Sequence, residues 1–179
     1  NYALLILDST INKIEFKADA ERNFIEYYEV KGSKDSELVR VFVDHLSIQQ
    51  KQKTDITMKM YDQKTAPAER NALKLKLDSV NSAFKSAIDQ FIRKNSKSLA
   101  VITTLSYLTP QTDLELYKII EKGLSESMPN SEYHISVQTQ VVQIETQLKI
   151  QQQQEKERLE LEQKTAIGAV APELNFPNP

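Results

Sequence analysis

The sequence predicts an α+β chain that is predominantly α-helical: a small N-terminal antiparallel β element, then a helical bundle with a long C-terminal helix. Three observations predict it. Apolar and polar residues alternate with a period of two across residues 11–18, the signature of a half-buried strand. From Ser33 onward the apolar residues recur at threes and fours, which lines them up along one stripe of a helix. The chain also has only three glycines and 7% aromatic residues but is rich in Lys, Glu, Gln and Leu. That balance suits long helices rather than a barrel.

Residues 2–7 form a short apolar run, followed by Asp8, Ser9 and Thr10. In the next run Ile14, Phe16 and Ala18 fall on one face and Lys13, Glu15 and Lys17 on the other. The two runs are expected to pair as an antiparallel hairpin turning at residues 8–12. The segment "YYEVKGS", starting at Tyr27, reads as a third strand ending at Gly32. Three short strands need a covering helix. The β-rich portion, residues 1–33, is therefore expected to be covered by the helices that follow and completed by strands upstream of Asn1.

The helical bundle is placed at residues 34–150. Asp35 or Ser36 is expected to cap its first helix, because a short oxygen-bearing side chain accepts from the free N–H groups of the first turn. Leu38, Phe42 and Leu46 share a stripe, which weakens over residues 49–55 and returns at Ile56 and Met60. Thr65-Ala66-Pro67 breaks the helix and restarts it, proline being tolerated in a first turn. The second helix carries Leu73, Leu77, Val80, Phe84, Ala87 or Ile88, and Phe91. Residues 98–108 form a short helix that is apolar nearly all round, with Val101, Ile102, Leu105 and Leu108. Such a helix belongs in the middle of a bundle. Thr109 is expected to cap the next helix, with Pro110 at its first position and Leu114, Tyr117, Ile120 and Leu124 along its stripe, up to Met128-Pro129-Asn130. Ser131 opens the last helix, with Val137, Val141, Ile144 and Leu148 on its apolar side.

Past Ile150 that stripe nearly vanishes, and residues 151–164 keep only Leu159 and Leu161. Good helix formers with charges at helical spacing keep such a segment helical through side-chain pairing rather than burial. Residues 151–166 are therefore expected to be a helical spacer. A helix from Ser131 to Lys164 would span about 50 Å at 1.5 Å per residue.

Little in the sequence points to chemistry. The chain has no cysteine, so it contains no disulfide, thiolate nucleophile or Cys-ligated zinc. Its formal net charge is −2, with Lys and Glu interspersed; it lacks the basic face of a nucleic-acid binder, and no nucleic-acid partner is expected. No apolar run approaches the ~20 residues of a membrane helix, and no membrane span is expected in this chain. His45 and His134 have no Glu or His three or four residues on, so neither starts a helical metal pair. Both read as surface or boundary histidines. Gly32-Ser33 lacks the several glycines of a phosphate cradle and reads as a strand-to-helix turn. Asp8 and Asp19, flanking the second run, read as turn residues. No catalytic, cofactor-binding or metal residue is assigned, no cofactor is expected, and this chain alone is not expected to be an enzyme.

The closing stretch, "KTAIGAVAPELNFPNP", turns apolar and proline-studded. Ile167-Gly168, Ala171-Pro172-Glu173-Leu174 and Phe176 resemble the entry segment of thioredoxin-like domains of the TlpA/ResA type, related to the AhpC/TSA peroxiredoxins. Pro172 breaks a helix and enforces extended backbone, and Leu174 and Phe176 alternate with Glu173 and Asn175 as a strand requires. The front end, "ILDSTINKIEFKAD" and "YYEVKGSKDSELVRVF", is similar to an N-terminal domain found ahead of such domains in cell-envelope proteins, with Gly32, Ser33, Leu38 and Phe42 matching its pattern. The helices between share the family's layout without a sharp motif. The resemblance implies that residues 167–179 are the entry segment of a thioredoxin-like domain lying beyond Pro179. A Trp-Cys-x-x-Cys motif in that domain would carry thiol–disulfide exchange, and none of the family's catalytic residues falls on a position of this chain.

By the same resemblance the chain is expected to be a non-catalytic accessory domain of an envelope thiol–disulfide oxidoreductase. It would position the redox domain, pair two subunits into a homodimer or hold a protein client. The expected location is the periplasm or cell envelope, with a lipid anchor attached upstream of Asn1. The alternative is a helical protein–protein interaction scaffold unrelated to redox chemistry, engaging a partner through the stripes at 73–91 and 137–148.

Overall fold

The computed structural model describes residues 4–7, 11–19 and 28–165. Asp8, Tyr27 and the tail from residue 166 onward, including Pro172, Leu174 and Phe176, lie outside the described residues. The chain is predominantly helical, with a small antiparallel β element ahead of the helices.

Strand β1 (Glu15–Ala18) pairs with β2 (Tyr28–Lys31), Phe16 opposite Val30 and Ala18 opposite Tyr28. The expected hairpin between the first two apolar runs is thus corrected: β1 takes β2 as its partner, and residues 4–7 are irregular. Alternation identifies a strand's faces but leaves its partner open. What holds the first run is a set of side-chain hydroxyls rather than a ladder. β2 alternates as its sequence requires, burying Tyr28 and Val30 while Glu29 and Lys31 face solvent. Phe16 stacks on the Tyr28 ring, centroids 5.2 Å apart.

Gly32 turns the chain from β2 into α1 (Lys34–Tyr61) with φ at +93°, a conformation glycine adopts without a steric cost. A Cβ there would also lie 2.3 Å from the Lys13 carbonyl oxygen. Ser33 is the cap of α1, accepting the Ser36 N–H at 3.2 Å. The cap therefore lies before Asp35 and Ser36, the two expected positions. Ser33 has the extended backbone a cap needs, whereas Asp35 and Ser36 already lie within the helix.

The turn after α1 is closed by Asp62, which accepts the Lys64 N–H at 2.9 Å, and by the Thr65 hydroxyl, which donates to the Lys59 carbonyl at 2.7 Å. Helix α2 (Pro67–Asn95) then starts with Pro67 in its first turn and packs along α1. Residues Leu99–Tyr107 form a 3₁₀ helix capped by Ser98. At nine residues it is long for its type. Three residues per turn put Val101 and Thr104 on one fully buried face, and Ile102, Leu105 and Leu108 on a second face packed against the core. The hydroxyls of Thr103 and Thr104 donate to the carbonyls of Ala100 and Val101 at 2.7 and 2.6 Å.

Helix α3 (Leu114–Ser127) begins four residues after Pro110, with Asp113 preceding it. Thr109 does not cap it. Asp113 instead turns its carboxylate back to accept the Thr109 N–H at 2.7 Å, closing a separate turn. Ser131 caps α4 (Glu132–Thr165) as expected, accepting the His134 N–H at 3.1 Å. The core lies where α1, α2, the 3₁₀ helix, α3 and α4 meet, around Ile92, Val101, Ile120 and Leu124. Phe42 of α1 stacks on Phe91 of α2 at 4.2 Å.

Gly123 sits inside α3, against the end of α2, where an added Cβ would stand 2.2 Å from the Ser96 carbonyl oxygen. The Gly123→Ala substitution gains up to ~1 kcal/mol of helix propensity but pushes α3 off its neighbour, and such overpacking costs about 1–3 kcal/mol. Urea unfolding should therefore show a net loss of stability, where an exposed helix glycine would show a gain.

Candidate functional site

Five hydrogen bonds that join elements gather at the first turn of α1. Ser36 is fully buried, and its hydroxyl accepts the Ile6 N–H at 2.8 Å. The Ile6 carbonyl in turn accepts from Ser33 Oγ at 2.7 Å and from Ser36 Oγ at 3.1 Å. Two serines one helical turn apart thus hold both polar groups of one extended residue. Asp35, between them, reaches the other way: its carboxylate accepts the Ser98 hydroxyl at 2.5 Å and the Leu99 N–H at 3.2 Å. One turn of helix thereby fastens the N-terminal segment on one side and the start of the 3₁₀ helix on the other.

Beside this junction is a cavity of about 570 Å³ between residues 4–7, α1 and the 3₁₀ helix. Val39, Val43, Leu99, Ile102, Tyr107 and Tyr133 contribute to its wall, along with Leu4 to Leu7. Among the described residues no carboxylate, imidazole or amine lines it, and its polar groups are the Tyr28, Tyr107 and Tyr133 phenols and two hydroxyls, so it can seat an apolar group. The Thr103 and Ser106 hydroxyls in its wall already donate to carbonyls of their own helix.

The singled-out histidines separate. His45 is exposed on α1, with Nε2 3.1 Å from the Gln49 amide nitrogen. His134 is only 7% exposed, deeper than a surface histidine. Its Nδ1 lies 2.7 Å from the Pro129 carbonyl and its Nε2 3.1 Å from Glu121 Oε1. Asp19 is exposed after β1. Among the described residues no group of three or more His, Cys, Asp or Glu is placed to hold a metal. Arg40 lies over the Tyr28 ring at 4.3 Å and pairs with Asp44 at 2.6 Å. Burial pushes the Asp44 carboxyl up, and Arg40 beside it opposes that shift.

The α4 stripe points inward, and the α2 stripe does so only over its second half. Ile88 of α2, and Val137, Val141 and Ile144 of α4, belong to the chain's own core, with Phe84, Phe91 and Leu148 packed against it, whereas Leu73, Leu77 and Val80 are half-buried outside that cluster. Helix α4 then changes character: every residue from 149 to 164 is exposed. This part is supported by its own side chains. Arg158 pairs with Glu155 at 2.7 Å and with Glu162, and Gln153 donates to Glu157 at 2.7 Å. The hydrogen bond from Arg158 holds the Glu155 carboxyl below the usual carboxylate range. Exposed pairs at this spacing contribute tenths of a kcal/mol each.

Sequence reasoning found the Gly32-Ser33 turn and the bare helical stretch at 151–164. It missed the serine clamp on Ile6, although two serines spaced by three at a strand-to-helix junction were a readable signal. It also missed the Glu121–His134 pair, which carries none. No family model, curated protein or solved structure matches the chain.

Two measurements test this division of labour. The Ser36→Ala substitution strips the part-buried Ile6 N–H of its partner, and losing such a hydrogen bond costs about 0.5–1.5 kcal/mol. Urea unfolding should show that loss, together with faster proteolysis near Ile6. Replacing Leu159 and Leu161 together by Ala should leave the unfolding midpoint unmoved, whereas Ile144→Ala should cost about 2–5 kcal/mol.

Proposed function

We propose that this chain is a non-catalytic accessory domain that carries a thioredoxin-like redox domain of a cell-envelope thiol–disulfide oxidoreductase. The observation that supports this most is the junction at the end of α4. The helix spends its first half on the core, leaves residues 149–164 bare, and reaches Thr165 two residues before the motif that opens at Ile167. The bare part is roughly 24 Å long at 1.5 Å per residue. A helical rod fixes the distance between two domains, which a coiled linker does not.

In this reading the cysteine-free chain supplies placement, and the attacking thiolate belongs to the following domain. There a cysteine at a helix N-terminus is acidified and attacks a substrate disulfide through a mixed disulfide. The periplasm or cell envelope is the compartment that fits such exchange.

A second reading, a pairing or client-holding scaffold, is favoured by one feature. Ile135, Val142 and Ile150 are 52%, 57% and 52% exposed along α4, with Thr139 and Thr146 between them. They form an apolar stripe with no partner element among the described residues.

One experiment separates the two readings. The reading frame continued past Pro179 should encode Trp-Cys-x-x-Cys within about fifty residues, and the longer product should reduce insulin disulfides while residues 1–179 alone do not. Reductase activity in the short chain would overturn the proposal, and a continuation lacking the cysteine pair leaves the scaffold reading.

A further inference from the structure

His134 stands where α3 ends and α4 begins, and both of its ring nitrogens face acceptors: the Pro129 carbonyl at Nδ1 and Glu121 Oε1 at Nε2. A neutral imidazole carries one N–H and can satisfy only one of them. With the proton on Nδ1, the lone pair of Nε2 would point at the Glu121 carboxylate. The doubly protonated ring donates to both. We infer that His134 is a proton-operated latch: charged, it ties the root of α4 both to the turn at Pro129 and to α3, and neutral, it keeps the turn and releases α3.

The surroundings favour the charged form. From α3 the group facing the ring is Glu121, whose side chain is a quarter exposed. The turn between the helices offers only an uncharged carbonyl, and the 3₁₀ helix contains no charged residue. On α4 itself Glu132 lies two residues before the ring. The nearby ion pairs are already closed, Lys97 with Glu126 at 2.9 Å and Lys118 with Glu145 at 2.5 Å. Lys122, next to Glu121 in sequence, is the remaining basic group on this stretch of α3. Burial works against a cation at this position, and the two acceptors outweigh it: the Pro129 carbonyl first, then Glu121, raise the histidine above its ordinary 6.5.

The sign follows from linkage. A histidine whose folded value is raised adds stability that is fully present below the unfolded value and is lost as pH rises through the folded one. The latch is closed in mildly acidic solution and opens on the alkaline side of 6.5. Glu121 can then swing into solvent. The inference does not depend on a redox domain following Pro179.

The test uses the full chain, ¹⁵N-labelled, with His45→Gln to leave one histidine signal. Long-range ¹H–¹⁵N NMR across neutral pH should show both His134 ring nitrogens protonated at the acid end and a midpoint above 6.5, and Glu121→Gln should lower that midpoint. Amide protection in the first turn of α4, corrected for intrinsic exchange, should fall several-fold as pH crosses the midpoint in wild type and stay level in Glu121→Gln. A midpoint at or below 6.5 overturns the inference. So does a midpoint that Glu121→Gln leaves in place, or a titration that leaves wild-type amide protection level. The wild-type titration and protection profile decide the matter even if the variant does not fold.

Discussion

Gly123 lets the backbone of α3 lie directly on the Ser96 carbonyl at the end of α2, with no room for even a methyl group between them. Much of the packing follows from that contact. With α3 this close, Ile120 and Leu124 lie against Ile92 and Val101 in one continuous cluster, and all four are completely withdrawn from water. Each such side chain is worth on the order of 2 kcal/mol of burial. The 3₁₀ helix fits the same constraint. Its narrow three-residue turn puts Val101 and Thr104 in line on one buried face, and the threonine hydroxyl is satisfied by its own backbone.

The other organising point is polar. The first turn of α1 has free N–H groups that every helix must satisfy. Here the side chains that surround it do more than cap: Ser33 and Ser36 hold the main chain of Ile6, while Asp35 holds the start of the 3₁₀ helix. A two-stranded sheet has little stability of its own. It is fastened by the burial of Tyr28 and Val30, by the Arg40 guanidinium over the Tyr28 ring and by the tight Gly32 turn.

What could be read from the sequence divides along physical lines. The helices were legible because burial imposes a period that Val137, Val141 and Ile144 display, and because Pro67 and Ser131 punctuate it. The bare half of α4 was legible for the opposite reason, since residues 151–164 offer almost nothing to bury. The partner of β1 was not, because alternation says which face is apolar and nothing about which strand lies alongside. Nor was the start of α3: Thr109-Pro110 can begin a helix or a turn, and only the Asp113 carboxylate folding back decides between them. The pairing of Glu121 with His134 depends on how two helices cross, and no local pattern encodes that.

The continuity of α4 has a mechanical consequence. Its thirty-four residues form one unbroken helix, anchored only over its first half, so it acts as a lever arm with its fulcrum in the core. A tilt of about 5° at the fulcrum sweeps the end of the bare stretch, about 24 Å away, through roughly 2 Å. Small rearrangements among the side chains around Ile144 and Leu148, where α4 leaves the core, are thereby converted into larger displacements at Thr165.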